Sequence, residues 1–209
     1  MTFNIAIIDY EMGNLKSIYK LFHYLDVKSV ITSDPRKIKD ADGVILPGVG
    51  AFGDAMKHLN EKNLNTTIKD IVKDKKPLFG ICLGLHLLFS QSSEMGTHKG
   101  LEIINGEVIS FNKAKVNKIP QIGWNNVQFL DDTHFLVQEI PNNSFFYFVH
   151  SFYALPKEAE SILGKTIYGE IEYCSMVCKD NIVATQFHPE KSSKYGIKMY
   201  QNFIHYCKK

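Results

Sequence analysis

The 209-residue sequence lacks the features by which several classes of protein are recognised. No apolar run approaches the ~20 residues that a membrane-spanning helix needs, so membrane insertion is not expected. No charged and apolar leader precedes the run Phe3 to Ile8, which already resembles a core strand, so no secretory signal is expected. Neither a membrane nor an export pathway is therefore predicted.

An excess of one charge is also missing. The 24 Lys and Arg residues against 22 Asp and Glu give a net charge of +2, and the two signs are mixed without a basic stripe. Nucleic-acid binding is therefore not predicted. Apolar residues make up 44% of the chain and no repeat or linker interrupts it, so one globular domain over residues 1–209 is expected.

Cysteine is scarce, and its four copies form no paired CxxC clusters. Cys174 and Cys178 are close in sequence, but no histidine stands near them at ligand spacing. We therefore expect no metal and no cofactor, and we interpret these thiols as ordinary ones in a reducing cytoplasm.

The predicted pattern of secondary structure changes along the chain. Up to about residue 90, apolar strands alternate with amphipathic helices, which predicts a right-handed, mostly parallel sheet. After Gly96, short strand-like runs between Pro, Gly and Asn turns predict antiparallel strands that complete or flank the sheet. The predicted fold is α/β, a single mostly parallel (mixed) sheet flanked by helices. Its expected strands are Asn4 to Asp9, Val27 to Thr32, Gly43 to Leu46, Leu78 to Ile81, Gly106 to Phe111, Asn126 to Leu130, Phe145 to Val149, Ser161 to Tyr168, Ile171 to Val177 and Ile182 to Phe187.

The segment Gly80-Ile81-Cys82-Leu83-Gly84 has the spacing of a nucleophile elbow, with glycine two residues before and after Cys82. A sharp strand-to-helix turn strains the central residue and leaves no room for neighbouring side chains. It also places the sulfur at a helix N-terminus, which favours a thiolate. By itself the motif is equally consistent with a buried structural cysteine.

A second motif, Phe187-His188-Pro189-Glu190, follows the last apolar strand. There His188 can act as a base for Cys82, and Glu190 can fix its tautomer, although a lone histidine at a strand end is more often structural. A glycine-rich loop, Pro47 to Gly53, follows another strand, and it lacks the GK[ST] ending of a phosphate-binding loop. All three motifs fall at the carboxyl edge of one predicted sheet, which favours catalysis.

These motifs resemble the class I (triad) glutamine amidotransferases. Further segments resemble the HisH family, the glutaminase subunit of imidazole glycerol phosphate synthase, over nearly the whole chain. They are Asp9-Tyr10, Gly13-Asn14-Leu15, Leu46 to Phe52, Gly100-Leu101, Pro120 with Gly123-Trp124-Asn125, Phe148 to Ser151 and His188 to Ser192.

The resemblance implies hydrolysis of L-glutamine through a thioester on Cys82, with His188 and Glu190 completing the triad in a flavodoxin-like fold. It implies an oxyanion hole at Gly48, Val49, Gly50 and Leu83, and substrate contacts from His86, Glu94 and Ser151. It also implies a face for a (β/α)8 barrel cyclase, HisF, in a heterodimer without nucleic acid or membrane. That face would contain Asn14, Gln121, Trp124, Asn125, Tyr147 and Lys191, which without the resemblance are ordinary surface residues.

Three residues depart from the family pattern. His86 replaces a usual glutamine, Glu11 a usual glycine and Gln121 a usual histidine. At an unperturbed pKa of ~6.5, a histidine that touched the substrate would weaken glutamine binding as the pH rises through neutrality. Two alternatives remain open: a paralogue that supplies ammonia to a sugar-amidating synthase of surface polysaccharide, and a non-catalytic or redox-sensing protein of the same fold. The intact His188–Glu190 pair argues against the second.

Overall fold

The computed structural model describes residues 3–209. Six α-helices occur in that range, numbered in chain order. They are α1 (Leu15–Tyr24), α2 (Pro35–Asp40), α3 (Phe52–Glu61), α4 (Leu64–Lys73), α5 (Leu83–Leu87) and α6 (Ser193–Cys207). Helices α3 and α4 each begin two residues before the helical segments expected from the sequence, Asp54 to Glu61 and Thr66 to Asp74.

The strands of the described chain form one extended mixed sheet. They are β1 (Ile5–Ile8), β2 (Ser29–Thr32), β3 (Gly43–Leu46), β4 (Leu78–Ile81), β5 (Phe89–Ser92), β6 (His98–Lys99), β7 (Ile104–Ser110), β8 (Gln121–Phe129), β9 (Ser144–His150), β10 (Phe152–Pro156), β11 (Ile162–Tyr168), β12 (Ile171–Lys179) and β13 (Ile182–Thr185). The order along the main path is β2-β1-β3-β4-β13-β12-β10-β7-β5-β6.

The expected change in the pattern of secondary structure is confirmed. Strands β2, β1, β3, β4 and β13 are parallel. The neighbours of β13 then turn antiparallel, through β12, β10 and β7, and β11 leads from β12 to the β8–β9 pair. The last strand of the sequence thus enters the parallel half beside β4, which places the residues after β13 next to those after β4.

Sequence patterns placed some strands poorly. Strand β8 begins at Gln121 rather than Asn126, because pairing with β9 continues through Gly123, which adopts φ 131°. Strands β5, β6 and β10 are additional, and each pairs with neighbouring strands. They are two to five residues long, too short to show a clear apolar periodicity.

The central strands bury both faces. Ile5 and Ile7 belong to the cluster with α1 and α6, whereas Ala6 and Ile8 belong to the cluster with α2, α3, α4 and α5. The alternation follows from the strand period of two, and burial on both sides explains the continuous apolar runs. No helix in the described range is long and apolar enough to cross a membrane, and no group of His, Cys, Asp or Glu there could hold a metal ion.

The backbone of α5 lies very close to that of β3. A Cβ on Gly84 would overlap the carbonyl oxygen of Leu46. We expect Gly84→Ala to lower the free energy of unfolding by at least ~2 kcal/mol, since backbone atoms cannot make room as flexible side chains do. Urea unfolding measures this. The control is Gly13→Ala, where the nearest atom is a mobile Leu15 methyl group at 3.0 Å; equal losses in the two variants would contradict the prediction.

Candidate active site

Cys82 occupies the turn between β4 and α5 with φ 54° and ψ −108°, a conformation that L-residues rarely adopt. Its amide donates to the Thr185 carbonyl oxygen at 2.7 Å, and its carbonyl accepts from the amides of Leu85 and His86. Both flanking glycines are sterically required, since a Cβ on Gly80 would lie 3.0 Å from Ala184 Cβ. The cysteine therefore has the strained backbone of a nucleophile elbow.

His188 and Glu190 follow β13, whose register with β4 pairs Ala184 with Gly80 and Thr185 with Ile81. Nδ1 of His188 lies 2.8 Å from Oε1 of Glu190, and these side chains are only 4% and 2% exposed. Because the carboxylate oxygen only accepts, Nδ1 carries a proton and donates it. The backbone of His188 is fixed as well, since its amide donates to the Tyr147 carbonyl oxygen at 2.9 Å.

The charge state of His188 results from opposing effects. Burial lowers its pKa, but interactions with Cys82 and with the Glu190 carboxylate outweigh burial and raise the pKa to about 10. Nε2 is buried and makes no full hydrogen bond within the described chain, as is common in catalytic sites without substrate. The surroundings of His188 therefore favour its protonated form next to the sulfur.

A cavity of about 260 Å³ opens over these residues. This is below the ~300–1,000 Å³ of pockets for drug-sized ligands and suits a single amino acid. It brings together the cysteine, the histidine, the glycine loop and the expected substrate contacts. The lining consists of Val49, Gly50, Cys82, Leu83, His86, Glu94, Val149, His150, Ser151, Phe152 and His188.

The glycine loop lines the cavity, but the backbone amide of Val49 points away from it. That amide donates to the Met12 carbonyl oxygen at 3.3 Å. Gly48 is buried, and a Cβ there would overlap the hydroxyl of Tyr10, which donates to the Pro47 carbonyl oxygen at 2.6 Å. Leu83 begins α5, where first-turn amides have no partner within the helix. In this conformation only part of the expected oxyanion hole faces the cavity.

The expected substrate contacts differ in their present partners. Glu94 lines the cavity, and its Oε2 accepts from the Phe52 amide at the start of α3 at 2.8 Å. Ser151 is partly buried in the lining. His86 lines the cavity but is 5% exposed, and its Nε2 lies 2.7 Å from Oε1 of Gln186.

The expected titration of His86 near neutrality is wrong in this structure. Burial lowers its pKa to about 4, although the hydrogen bond with Gln186 acts in the opposite direction. His86 is therefore neutral from weakly acidic pH upwards, and it cannot make glutamine affinity change between pH 6.5 and pH 8. The sequence left open whether His86 touches the substrate or turns away and packs against the sheet, and only the packing of α5 against β13 shows that it is buried.

Most of the expected partner residues lie on the outer face of the β8–β9 pair and beside it. Trp124 is 52% exposed, with its ring centroid 6.3 Å from that of Tyr147, and the ammonium of Lys191 lies 5.9 Å from the Tyr147 ring. Asn14 is exposed just before α1. The structure adds Ile122 and Phe145, each 57% exposed, to this face.

Two expected interface residues are engaged within the chain. Nδ2 of Asn125 donates to the Ile167 carbonyl oxygen at 2.8 Å. Gln121 is only 3% exposed, because odd-numbered positions of β8 point away from the face that carries Ile122 and Trp124. Its Oε1 lies 3.0 Å from the Tyr173 hydroxyl, so its side chain cannot contact a partner directly.

Three buried residues near the site were quoted within motifs but were given no role by the sequence: Tyr10, His150 and Gln186. His150 Nδ1 lies 2.7 Å from the Phe152 carbonyl oxygen and Nε2 lies 3.2 Å from the Tyr173 hydroxyl, while burial lowers its pKa to about 3. The available signal was a polar residue at the end of an apolar strand. That pattern does not show with which residue the side chain forms a hydrogen bond.

Comparison with known proteins agrees with this geometry. The family description "Glutamine amidotransferase class-I" matches residues 6–207. Among solved structures, PurLQS from Thermotoga maritima is similar with a TM-score of 0.77 at 16% identity, covering 99% of each chain. The glutaminase domain of Trypanosoma brucei CTPS with bound acivicin gives 0.70 at 16% identity, covering 99% of this chain and 94% of that one. These likenesses show the fold, and together with the family match they define a class I glutamine amidotransferase.

Full-length relatives narrow the assignment. The imidazole glycerol phosphate synthase subunit HisH of Methanocaldococcus jannaschii is 49% identical over 200 residues, 96% of this chain and 98% of its own. The subunit of the same name from Chlorobaculum tepidum is 42% identical over 202 residues, 97% of this chain and all of its own. The chain belongs to the HisH family, which confirms the resemblance read from the motifs.

Labelling tests the identity of the nucleophile. We expect a glutamine-analogue electrophile to modify Cys82 and no other cysteine, because only Cys82 faces the cavity. Burial raises the pKa of Cys174 and of Cys207 to about 12 and also raises that of Cys178. Peptide mass spectrometry reads the result, with Cys82→Ser as the control. Comparable labelling of Cys174 or Cys178 would contradict the assignment.

The two partners of the triad should contribute unequally. His188→Asn removes the proton carrier, whereas Glu190→Gln keeps an oxygen that can accept from Nδ1 and removes only the charge. By analogy with other triads, we expect the loss of kcat to be ~100-fold smaller for Glu190→Gln than for His188→Asn. Glutamate release with the synthase partner present measures both. Equal and complete losses would show that Glu190 does more than orient and stabilise His188.

Proposed function

We propose that this chain is a glutaminase subunit that releases ammonia from L-glutamine for a partner synthase, the chain acting as one domain. The observation that carries the proposal is the arrangement of Cys82 and the His188–Glu190 pair in one small cavity. A strained cysteine beside an imidazolium that a buried carboxylate orients is the constellation needed for acyl transfer.

The reaction follows from the positions of the protons. The Cys82 sulfur attacks the side-chain carbonyl carbon of glutamine, and the negative charge moves to the carbonyl oxygen. His188 gives its Nε2 proton to the amide nitrogen, the C–N bond breaks, and ammonia leaves a thioester. Water then attacks the thioester as His188 accepts its proton, which releases glutamate and restores Cys82. Glu190 stabilises the imidazolium throughout.

The oxyanion formed in both steps needs backbone donors. We assign these to the amides of Leu83 and of the Gly48 to Gly50 loop, where one donor contributes ~3 kcal/mol to the transition state. Since the Val49 amide now donates to Met12, the loop must turn a peptide before this donor reaches the oxyanion. Gly50, at φ 104°, provides a residue that tolerates such a turn. Docking of the partner would favour the conformation in which the Val49 amide faces the oxyanion.

The partner is proposed to be a HisF-like (β/α)8 cyclase that binds the outer face of the β8–β9 pair. Exposed Ile122, Trp124 and Phe145 give this face an apolar centre, and the positive Lys191 lies at its edge. Ammonia released into water would mostly be protonated, so a closed route into the docked partner is required. The joint products would be imidazole glycerol phosphate and the aminoimidazole carboxamide ribotide that returns to purine synthesis, made in the cytoplasm. The free state of all four cysteines agrees with that compartment.

The alternative acceptor, a sugar-amidating synthase, has less support. Its motivation was the set of departures at Glu11, His86 and Gln121. In the structure, Glu11 is exposed and forms an ion pair with Lys62 at 2.9 Å, with His58 Nδ1 3.2 Å from its other carboxylate oxygen. His86 and Gln121 are buried and hydrogen-bonded inside the chain, so these two present no new recognition group to a partner. The relatives at 42–49% identity also favour the histidine-pathway acceptor.

Addition of the partner tests the proposal. We expect the isolated chain to release glutamate slowly, and a HisF-type barrel with its bound acceptor to raise the rate at least ~100-fold. Trp124→Ala should weaken this activation, because it removes an exposed aromatic side chain from the proposed docking face. The matched control is Tyr24→Ala, which removes a 75% exposed aromatic side chain on α1 and should leave the activation unchanged.

The outcomes separate the parts of the proposal. A high basal rate that the barrel leaves unchanged would contradict partner control. Activation that is equally strong in the Trp124→Ala variant would contradict the docking face, and activation by a sugar-modifying synthase but not by the barrel would favour the alternative acceptor.

A further inference from the structure

A buried polar pair lies directly beneath the nucleophile and has no place in the mechanism above. Gln186, in the segment between β13 and His188, is 0% exposed, and His86 on α5 is 5% exposed. Oε1 of Gln186 lies 2.7 Å from Nε2 of His86, and Nε2 of Gln186 lies 3.9 Å from the Cys82 sulfur. The amide thus spans the distance between the imidazole and the nucleophile.

The donors and acceptors of this pair fix its direction. The oxygen of an amide only accepts, so Nε2 of His86 must carry the proton of the neutral ring. The NH₂ group of Gln186 is then directed at the sulfur, to which it can only donate. The reverse arrangement would bring the amide oxygen against a sulfur that becomes negative during the reaction, which is electrostatically unfavourable.

The complete burial of the Gln186 side chain indicates that its amide group has a specific purpose. Gln186 stands after the apolar strand β13, in a position that Met or Leu could fill without burying an amide. Its backbone amide is already satisfied by the Ser175 carbonyl oxygen at 2.9 Å, so the side chain is not needed to complete the ladder. The two polar ends of the side chain meet His86 and Cys82 instead.

We propose that Gln186 is a positioning residue for the nucleophile: its Nε2–H group donates to the Cys82 sulfur, and His86 holds the amide in that orientation. Gln186 then supplies a donor to the sulfur, beside which Nε2 of His188 is buried without a hydrogen-bond partner in the described chain. The side chain at position 86 serves this purpose here, rather than the substrate contact that its place in the family motif implies. The catalytic consequence rests on the proposed glutaminase function, whereas the contact with sulfur does not.

Other titratable groups surround Cys82, and all of them except His86 remain unchanged in the variants below. Tyr10 after β1 and His188 after β13 interact electrostatically with the sulfur. The remaining titratable side chains of the cavity, and the carboxylate behind His188, are His86, Glu94, His150 and Glu190.

The test is the pH profile of Cys82 alkylation by iodoacetamide, read on the Cys82 peptide by mass spectrometry, because only the thiolate reacts. Gln186→Met keeps the length of the side chain and removes the donor. We expect the midpoint of the profile to rise by about one pH unit, which makes alkylation at pH 6 roughly tenfold slower. His86→Phe frees the Gln186 amide and should shift the midpoint in the same direction. Gln201→Met makes the same change at an exposed site on α6 and should leave the profile unaltered.

Kinetics with the partner present give a second readout. We expect Gln186→Met to lower kcat several-fold and to leave KM for glutamine nearly unchanged, as befits a residue that acts through Cys82. An unchanged alkylation profile, or a change confined to KM, would overturn the proposal. Alkylation needs no glutamine hydrolysis, so it decides the role of Gln186 even if the glutaminase function fails.

A measurement on the unaltered protein covers the case in which Gln186→Met does not fold. Nitrogen-15 NMR of the His86 ring distinguishes the two neutral tautomers. The proposal requires a proton on Nε2 at pH 7, and a proton on Nδ1 would overturn it.

Discussion

The close approach of α5 to the end of β3 is the constraint on which the active site depends. Because Gly84 has no side chain, the first turn of α5 packs onto the Leu46 carbonyl, and the chain between β4 and α5 must reverse within Cys82. This contact holds the cysteine at φ 54° without a compensating hydrogen bond from its own side chain. Strain of this kind persists only where the surrounding packing determines the backbone completely. Here α5 is packed on the parallel half of the sheet, whose strands are buried on both faces.

The parallel register of β4 and β13 fixes the position of His188 and Glu190 relative to Cys82. Ala184 pairs with Gly80, so the segment after β13 emerges beside the elbow, and the Cys82 amide closes the pair by donating to Thr185. His188 and Glu190 are then buried together, where an unpaired charge would be costly and a hydrogen-bonded pair is tolerated. Their backbone is tied to β9 through Tyr147 and Ser192. Strand β9, which carries Phe145 and Tyr147 of the proposed docking face, therefore also supports the backbone of His188.

This shared support gives a physical route between the docking face and the cavity. On β9, Tyr147 faces outward, whereas Phe148 and His150 face inward, and Val149 and His150 both line the cavity. Gln121, Tyr173 and His150 form a buried polar network behind the lining. On the opposite side, Glu11 contacts His58 on α3 and Lys62 just after it, and the carbonyl oxygen of the adjacent Met12 accepts from the Val49 amide. A partner that shifts either element by a small amount would change the geometry around the thiol.

The sequence by itself determined the change from a parallel to an antiparallel arrangement and the strained turn at Cys82, because these depend on local rules. Glycine at Gly80 and Gly84 is demanded by a turn of known shape, and the strand end that carries Cys82 follows from β–α alternation, whereas β13 reaches its place beside β4 from the antiparallel strand β12. Only the tertiary structure decided which residues from distant segments of the chain contact each other. His86 looked like a substrate ligand with an ordinary pKa, yet burial against Gln186, one hundred residues away in sequence, lowers that pKa to about 4. Gln121 looked like a surface residue until the pairing of β8 with β9 fixed which face its side chain would take. Contacts between distant segments set burial and hydrogen-bond partners, and no local pattern of residue types encodes them.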